Sequence, residues 1–390
     1  MFLFLEILFF LTAYAMFHTY IVYPFLLYVV SKNKKNVTVD IFESADEWPE
    51  IAVICAAYNE EKVIEEKIKS TFATSYPKEK IKFYIGTDAC NDNTVPIIKK
   101  LQEKYPALKL VEFTERTGKI GIINKLFEEA KAPIFVMTDA NVFFKEDTFY
   151  QLVKHFKNAD VQLVCGNIVK LALNTETITK NELQYMHFEN FLKSAESNLW
   201  DVVLGAEGGC YAIRKESCPV VPLNFNVDDF FITCHVLNNN GKVLFEDEAI
   251  VYEDTIADTE GEFRRKARIA TGNFQNLFYF KKLALRFWTS ASFAFLSHKV
   301  LRWITPFLFL INCITCAMII RTNILFKVIL CAQLLILITP LLNNLLIKLG
   351  IKIKPLISIS HFVIMNIALV TGFYRYCKGV ERSVWQPVKR

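Results

Sequence analysis

The sequence predicts an α/β fold, a mostly parallel sheet with flanking helices, set between helices that cross a membrane. Two observations predict it. From Ile51 to Asp139 short apolar runs alternate strictly with helical patterns, which argues for a doubly wound parallel sheet with one ligand crevice. The 390-residue chain is also 53% apolar with a mean hydropathy of +0.26, too apolar for an ordinary soluble domain.

The apolar residues are unevenly placed. Phe2 to Val30 is nearly free of charge apart from Glu6, and Trp303 to Ile320, Ile324 to Ile347 and Pro355 to Phe373 are similar. Each is about long enough to cross a hydrocarbon core of roughly 30 Å. The first lacks a basic start and a small-residue cleavage site, so it reads as a retained anchor. Lys32, Lys34 and Lys35 follow it and by the positive-inside rule hold the central domain in the cytosol. A multi-pass protein of the cell (inner) membrane is expected.

The expected division is an anchor over 1–31, a globular domain over 48–282, an interfacial amphipathic segment over 283–302 with Trp288, membrane helices over 303–376, and a basic tail over 377–390. Ser297 to Trp303 reads as a set of interface anchors. Topology is the open point. Lys348, Lys352 and Lys354 before the last apolar stretch, and Arg375, Lys378, Arg382, Lys389 and Arg390 after it, all prefer the cytosolic side, so that stretch is re-entrant or one apolar region does not cross.

A formal net charge of +5 does not argue for nucleic acid. The ten cysteines show no paired framework, in keeping with a reducing compartment. Cys313 and Cys316 have CxxC spacing but lie within an apolar stretch, where packing is the expected role.

Within the domain, Ile51 to Ala56 reads as a first strand and Lys62 to Thr74 as a helix with Val63, Ile64, Ile68 and Phe72 on one face. Strands at Ile81–Thr87 and Leu108–Phe113 flank a helix at Val95–Tyr105. A helix at Gly121–Ala130 then precedes the strand Pro133–Thr138, which ends at Asp139-Ala140-Asn141.

Ligands collect at the carboxyl ends of such strands. After the first come Ala57, Tyr58, Asn59 and Glu60, an aromatic face for a base with polar groups for its edge. After the second comes Asp88, while Asp92 is placed to cap the next helix. Arg116-Thr117-Gly118-Lys119 precedes a helix, so Lys119 and the helix N-terminus both face a phosphate. Asp139, with Asn141 on the following turn, offers oxygens to a hard divalent cation. Neither G-x-x-x-x-G-K-[ST] nor G-x-G-x-x-G is present, which excludes the two commonest nucleotide motifs.

This order of motifs resembles the family 2 glycosyltransferases of the GT-A fold, in the membrane-anchored branch that includes polysaccharide synthases. Ala57-Tyr58-Asn59-Glu60 looks like the family's nucleotide loop, Asp88 with Asp92 like its D-x-S-x-D stretch, and Gly118 to Asn124 like G-K-x-x-A-L-N beside the donor diphosphate. Asp139-Ala140-Asn141 matches the metal-binding D-x-D with Asn in the last place. Leu204 to Arg214, with Gly208 and Gly209, resembles the acceptor segment. Asn226 to Ile232 looks like T-E-D-x-x-L, which makes Asp229 the general base and Asp228 its acceptor-side neighbour.

The resemblance implies a nucleoside-diphosphate sugar as donor, most often a UDP-sugar, a glycan or lipid-linked acceptor, Mg2+ or Mn2+, and inversion at the anomeric carbon. Polymerising relatives carry Q-x-x-R-W. Here the stretch is Arg265-Lys266-Ala267-Arg268-Ile269, where Arg265 and Arg268 meet the diphosphate and Ile269 offers no Trp face. That shifts weight towards one or a few additions to a lipid-linked or short glycan acceptor, while a processive synthase, with another aromatic in the place of the Trp, stays open as the alternative. A non-catalytic nucleotide-sugar-binding membrane protein is the rival from another class, and retention of Asp88, Asp139 and Asp229 speaks against it.

Overall fold

The computed structural model describes residues 2–32, 40–42, 44, 47–171, 177–254 and 259–380. The expectations for Lys34, Lys35 and the tail beyond residue 380 lie outside these. At the N-terminus α1 (Phe2–Phe17) and α2 (Tyr23–Ser31) run on through a π turn, His18–Val22.

The expected alternation follows: β1 (Ile51–Ala57), α3 (Ile64–Phe72), β2 (Ile81–Asp88), α4 (Thr94–Lys104), β3 (Leu108–Phe113), α5 (Lys119–Glu129) and β4 (Ile134–Asp139). On β1, Ala52 and Ile54 pack with Ile122, Ile123 and Leu126 of α5, while Ile51, Val53 and Cys55 pack with Ile64 and Ile68 of α3. Burial on both faces is why these strands read as unbroken apolar runs.

The rest of the domain adds β5 (Val142–Phe144), α6 (Thr148–Val153), β6 (Val161–Leu171), α7 (Thr177–Trp200), β7 (Tyr211–Arg214), α8 (Asp228–Asn238), β8 (Lys242–Asp254) and α9 (Thr259–Tyr279). The eight strands form one sheet in the order β3-β2-β1-β4-β7-β6-β8-β5. β1 to β4 are parallel. β7 runs antiparallel to both β4 and β6, and β5 antiparallel to β8. β6 and β8 are parallel, so only β7 and β5 run against the other strands and the sheet is mostly parallel, as expected.

α10 (Lys281–Leu285), α11 (Ser290–Ala294), α12 (Leu301–Met318), α13 (Ile324–Lys348) and α14 (Lys354–Lys378) complete the chain. Among the described residues four helices are long and apolar enough to cross a membrane: Phe2–Ser31, Ser290–Met318, Ile324–Lys348 and Lys354–Lys378. The segment expected at the interface over 283–302 is thus divided. α10 is a separate short helix whose Leu283 and Ala284 are buried in the domain core, and from Ser290 the chain belongs to an apolar helix, joined to α12 through a π turn, Phe295–Val300.

The anchors expected at its head are also buried. Trp303 is 6% exposed and packs edge-on against Phe230 of α8 and Phe295. Lys299 and Arg302 both reach Glu189 of α7, and His298 sits between Glu189 and Glu196 at 3.1 and 2.7 Å. The physical reason is that α7 lies against this helix, and a buried charge is tolerated where it is paired.

The helices at the membrane end have a readable order. Asn312 donates to Phe9 O and Thr12 Oγ1, while Thr19 donates to Ser297 O, so α1 and α12 are antiparallel. Phe326 meets Phe9, and Gln333 donates to Asn312, so α13 turns back along α12. α14 behaves differently. Its Phe362 meets Tyr20, and Phe373 meets Phe307 and Phe274. Tyr376 stacks on Phe278, and a Cβ on Gly372 would lie 2.4 Å from Ala270 Cβ. Phe362 and Phe373 are about 16 Å apart along a helix, yet Phe362 shares a cavity with Phe309, only two residues from Phe307. α14 therefore crosses α12 steeply and rests on α9.

Candidate active site

The loops after β1 and β2 are bound to each other at the carboxyl edge of the sheet. Asn59, with φ of 55°, accepts from Asn91 N at 3.0 Å, and Glu60 N donates to Thr94 Oγ1 at 2.8 Å. Asp92 accepts from Thr94 N, the first residue of α4, and from Glu61 N; the N-cap position itself is Asn93, which makes no side-chain cap bond, so Asp92 ties the two loops together from one residue before the position expected of a cap. Ala57 closes β1 and is buried. Left-handed backbone at Asn59 and Ala89 stores strain where these loops meet.

Two expected donor residues are differently occupied. The Tyr58 ring carries the Arg116 guanidinium 3.5 Å from its centroid, so a base must stack on this pair or displace Arg116. Asp88 is 2% exposed and accepts from Arg116 Nε, Thr117 N and Gly118 N. It faces the wall of the crevice and holds the loop that delivers Lys119. Gly118 takes φ of 81° just before α5, a conformation that suits glycine.

Lys119 is the centre of the site. Its Nζ donates to Asp139 Oδ1 at 2.8 Å and stands 3.8 Å from Asp228 Oδ2. Burial lowers its pKa, but the charges on Asp139, Asp228 and Asp229 outweigh that and hold it above the ordinary lysine value. Burial likewise raises the Asp139 carboxyl, and Lys119, Lys67 and Arg268 together bring it below its usual value.

Asp229 opens α8 beside Asp228. Its Oδ2 accepts from Gly208 N at 2.8 Å and its Oδ1 from Phe230 N at 2.6 Å. Burial and the neighbouring Asp228 charge push this carboxyl up to about 7, against the opposing pull of Lys119 and the two backbone donors. A Cβ on Gly208 would lie 3.1 Å from Asp229 Oδ2 and 3.3 Å from Lys119 Nζ, so the missing side chain leaves the space between the Asp229 carboxylate and the Lys119 ammonium open. Gly209 does other work: a Cβ there would press on Ile168 and Val142 at 2.9 and 3.0 Å.

From α9, Arg268 donates to Asn226 O at 2.8 Å, and the Asp228, Asp229 and Asp139 charges raise a pKa that burial has lowered. Arg268 therefore faces the same carboxylates as Lys119. Arg265, one turn earlier, acts on Glu253 of β8.

Among the described residues no three His, Cys, Asp or Glu side chains converge to hold a metal by themselves. The donor set nevertheless fits a hard divalent ion that takes its remaining oxygens from a diphosphate. Asp139 supplies a carboxylate and Asn141 an amide oxygen, and the Lys119 ammonium at 2.8 Å from Asp139 marks a place that favours a cation. Beneath this turn Lys67, fully buried on α3, donates to Thr138 Oγ1 and Val142 O on either side of it. Burial brings its pKa down to about 7. Neither Lys67 nor the Arg116 contact with Tyr58 was visible in the sequence pattern.

Residues 52–218 match the sequence model of Glycosyl transferase family 2. A probable glycosyltransferase, YdaM, of Bacillus subtilis (strain 168) is 24% identical over 242 residues, which is 59% of this chain and 57% of that protein. The poly-beta-1,6-N-acetyl-D-glucosamine synthase of Staphylococcus aureus (strain COL) is 30% identical over 129 residues, 33% of this chain and 29% of that one. The match thus spans less than two thirds of either relative. A mannosyltransferase from Pyrobaculum calidifontis, in complex with GDP-Man and Mn2+, has the same fold, with a TM-score of 0.68 over 96% of this chain and 99% of that chain at 21% identity. Residues 52–218 are a family 2 glycosyltransferase domain on a GT-A fold.

Proposed function

We propose that this membrane-associated family 2 glycosyltransferase moves a sugar from a nucleoside-diphosphate sugar, a UDP-sugar by family preference, to a hydroxyl of a glycan or lipid-linked acceptor with inversion. The observation that carries the reading is the meeting of Lys119, Asp139, Asp228, Asp229 and Gly208 N at one end of the sheet.

In this reading Asp229 takes the acceptor hydroxyl's proton while that oxygen attacks the anomeric carbon and the bond to the diphosphate breaks. A carboxyl near 7 is suited to a base at neutral pH. Gly208 N holds the base in place, and the space above Gly208 admits the acceptor. Lys119 and Arg268 stabilise the charge that develops on the leaving diphosphate. A divalent ion bound at Asp139 and Asn141 would supply further charge neutralisation there. Asp228 orients the acceptor beside the base, and Ala57, Tyr58, Asn59 and Glu60 hold the nucleoside. One base and a single in-line displacement give inversion.

Ile269, where polymerising relatives carry Trp, supports short products. The processive reading draws support from the resemblance to the N-acetylglucosamine polymer synthase. Product mass analysis with NMR of the new linkage tests both: an inverted anomeric centre and one to a few added sugars are expected. A retained centre contradicts the mechanism, and a long ladder selects the processive alternative.

For the membrane, we propose three crossings, by α1–α2, α11–α12 and α13, with α14 not crossing but tilted, its Phe362 against α12 and α13 and its C-terminal half on α9 at the cytosolic side. The steep crossing of α12 and the rest on α9 support this, and it brings both flanking basic groups to the side that lysine and arginine prefer. Cys377 at the end of α14 is exposed. In oriented inner-membrane vesicles a membrane-impermeant maleimide is expected to label it from the cytosolic face, with Cys331 of α13 as the membrane-embedded control. Labelling of Cys377 from the outer face alone contradicts three crossings.

A further inference from the structure

We propose that Glu253 is part of the metal-holding set, supplying beside Asp139 the second carboxylate that Asn141 cannot. The inference rests on the divalent-ion reading of Asp139 and Asn141 and extends it to a residue more than a hundred positions away.

The geometry comes from the far edge of the sheet. β5 follows Asn141 directly, and its Val142 pairs with Glu253 in the antiparallel β5–β8 ladder. That register carries Glu253 to the turn that bears Asp139 and Asn141. Asn141 Nδ2 donates to Glu253 Oε1 at 3.3 Å, which fixes the amide plane and turns its carbonyl oxygen away from Glu253. Turning the Asn141 amide over about its last side-chain torsion exchanges Nδ2 for the carbonyl oxygen, and the turn and β8 then present both oxygens to one ion.

Charge points the same way. A hard divalent cation takes oxygen ligands and gains most from anionic ones. Asp139-Ala140-Asn141 provides one anion, and Lys119 already claims it. Burial raises the Glu253 carboxyl above its ordinary value, with Asp139 and Glu207 acting the same way and Lys170 from β6 and Arg265 from α9 opposing them. By position it is the carboxylate that hydrogen-bonds Asn141, away from the side of the site where Asp228 and Asp229 sit. The rival role is purely orienting, with Glu253 as a hydrogen-bond acceptor for the Asn141 amide. Glu253→Gln separates the two, because glutamine keeps an acceptor and loses the charge.

The test uses the full chain in detergent or nanodiscs and reads Mn2+ binding directly, by loss of the free-ion EPR signal, with UDP and with GDP present. Asp139→Ala, Glu253→Gln, Asn141→Asp and the Asn141→Asp/Glu253→Gln pair are compared. Glu253→Gln is expected to weaken Mn2+ binding roughly 10- to 100-fold, the range seen when a group supporting a metal site is lost, and Asn141→Asp is expected to restore it in the double variant. Wild-type affinity in Glu253→Gln, with binding lost in Asp139→Ala, overturns the role of Glu253 and leaves the metal reading standing. Failure of Asn141→Asp to rescue likewise overturns the charge argument. No Mn2+ binding by the wild-type chain with either nucleotide overturns both.

Discussion

Asp229→Asn is expected to lower the rate of sugar transfer by about 10²- to 10⁴-fold, the range contributed by a positioned general base, while nucleotide affinity holds. Asparagine keeps an acceptor for Gly208 N or Phe230 N and fills the same space, so what is lost is the capacity to take a proton. Initial rates and nucleotide binding measured together check this.

The pH dependence has a definite sign. As the proposed base Asp229 works deprotonated, and burial with the Asp228 charge raises its carboxyl from 3.8 to about 7. Activity therefore falls as pH drops through that raised value. Asp228→Asn removes one of the two raising causes, so the acid limb is expected to move to lower pH. Stability runs the other way. Between the ordinary carboxylate value and the raised one the folded chain binds more protons than the unfolded chain, so stability decreases as pH rises through that window. Asp229→Asn is expected to remove this loss, and a thermal melt at neutral pH reads it as a higher Tm.

Lys119→Ala carries the second large expected effect, a loss of about 10²- to 10³-fold in rate, comparable to removing a preorganised charge-stabilising group. It is expected to differ from Asp229→Asn in also weakening nucleotide binding, because the proposed mechanism sets Lys119 against the diphosphate as well as the acids. Removing its charge takes away an opposing pull on Asp229, so the residual activity is expected to have its acid limb at higher pH. A variant with normal nucleotide affinity and an unmoved acid limb would contradict the placement of Lys119 between donor and base.

The nucleotide half of the domain is legible in the sequence because its strands are buried on both faces. β1, β2 and β4 read as apolar runs, and polar residues follow each of them at one edge of the sheet; which of these face the crevice was not legible, since Asp88 holds the loop before Lys119 and Tyr58 carries Arg116. The other half resists reading. β6 and β8 shift register twice along their length, which breaks the periodicity that identifies a strand. Without β8 there was no means of bringing Glu253 to Asn141. Lys67 misleads for a different reason: a lysine on an amphipathic helix is ordinarily exposed, and here it is fully buried beneath the Asp139 turn. Trp303 carries the signature of an interface aromatic, yet the packing of α12 against α8 places it in the domain core. In these three cases a contact between residues distant in sequence overrides a local rule.

The most direct measurement is a donor panel. The purified full chain is incubated with UDP- and GDP-sugars, Mn2+ or Mg2+, and a membrane extract supplying glycan and lipid-linked acceptors, and release of the nucleoside diphosphate and the mass of any glycosylated product are followed. The account predicts that at least one donor is consumed with a sugar added to an acceptor, and that Asp229→Asn suppresses this. Consumption of no donor by the wild-type chain, or transfer undiminished in Asp229→Asn, would contradict it.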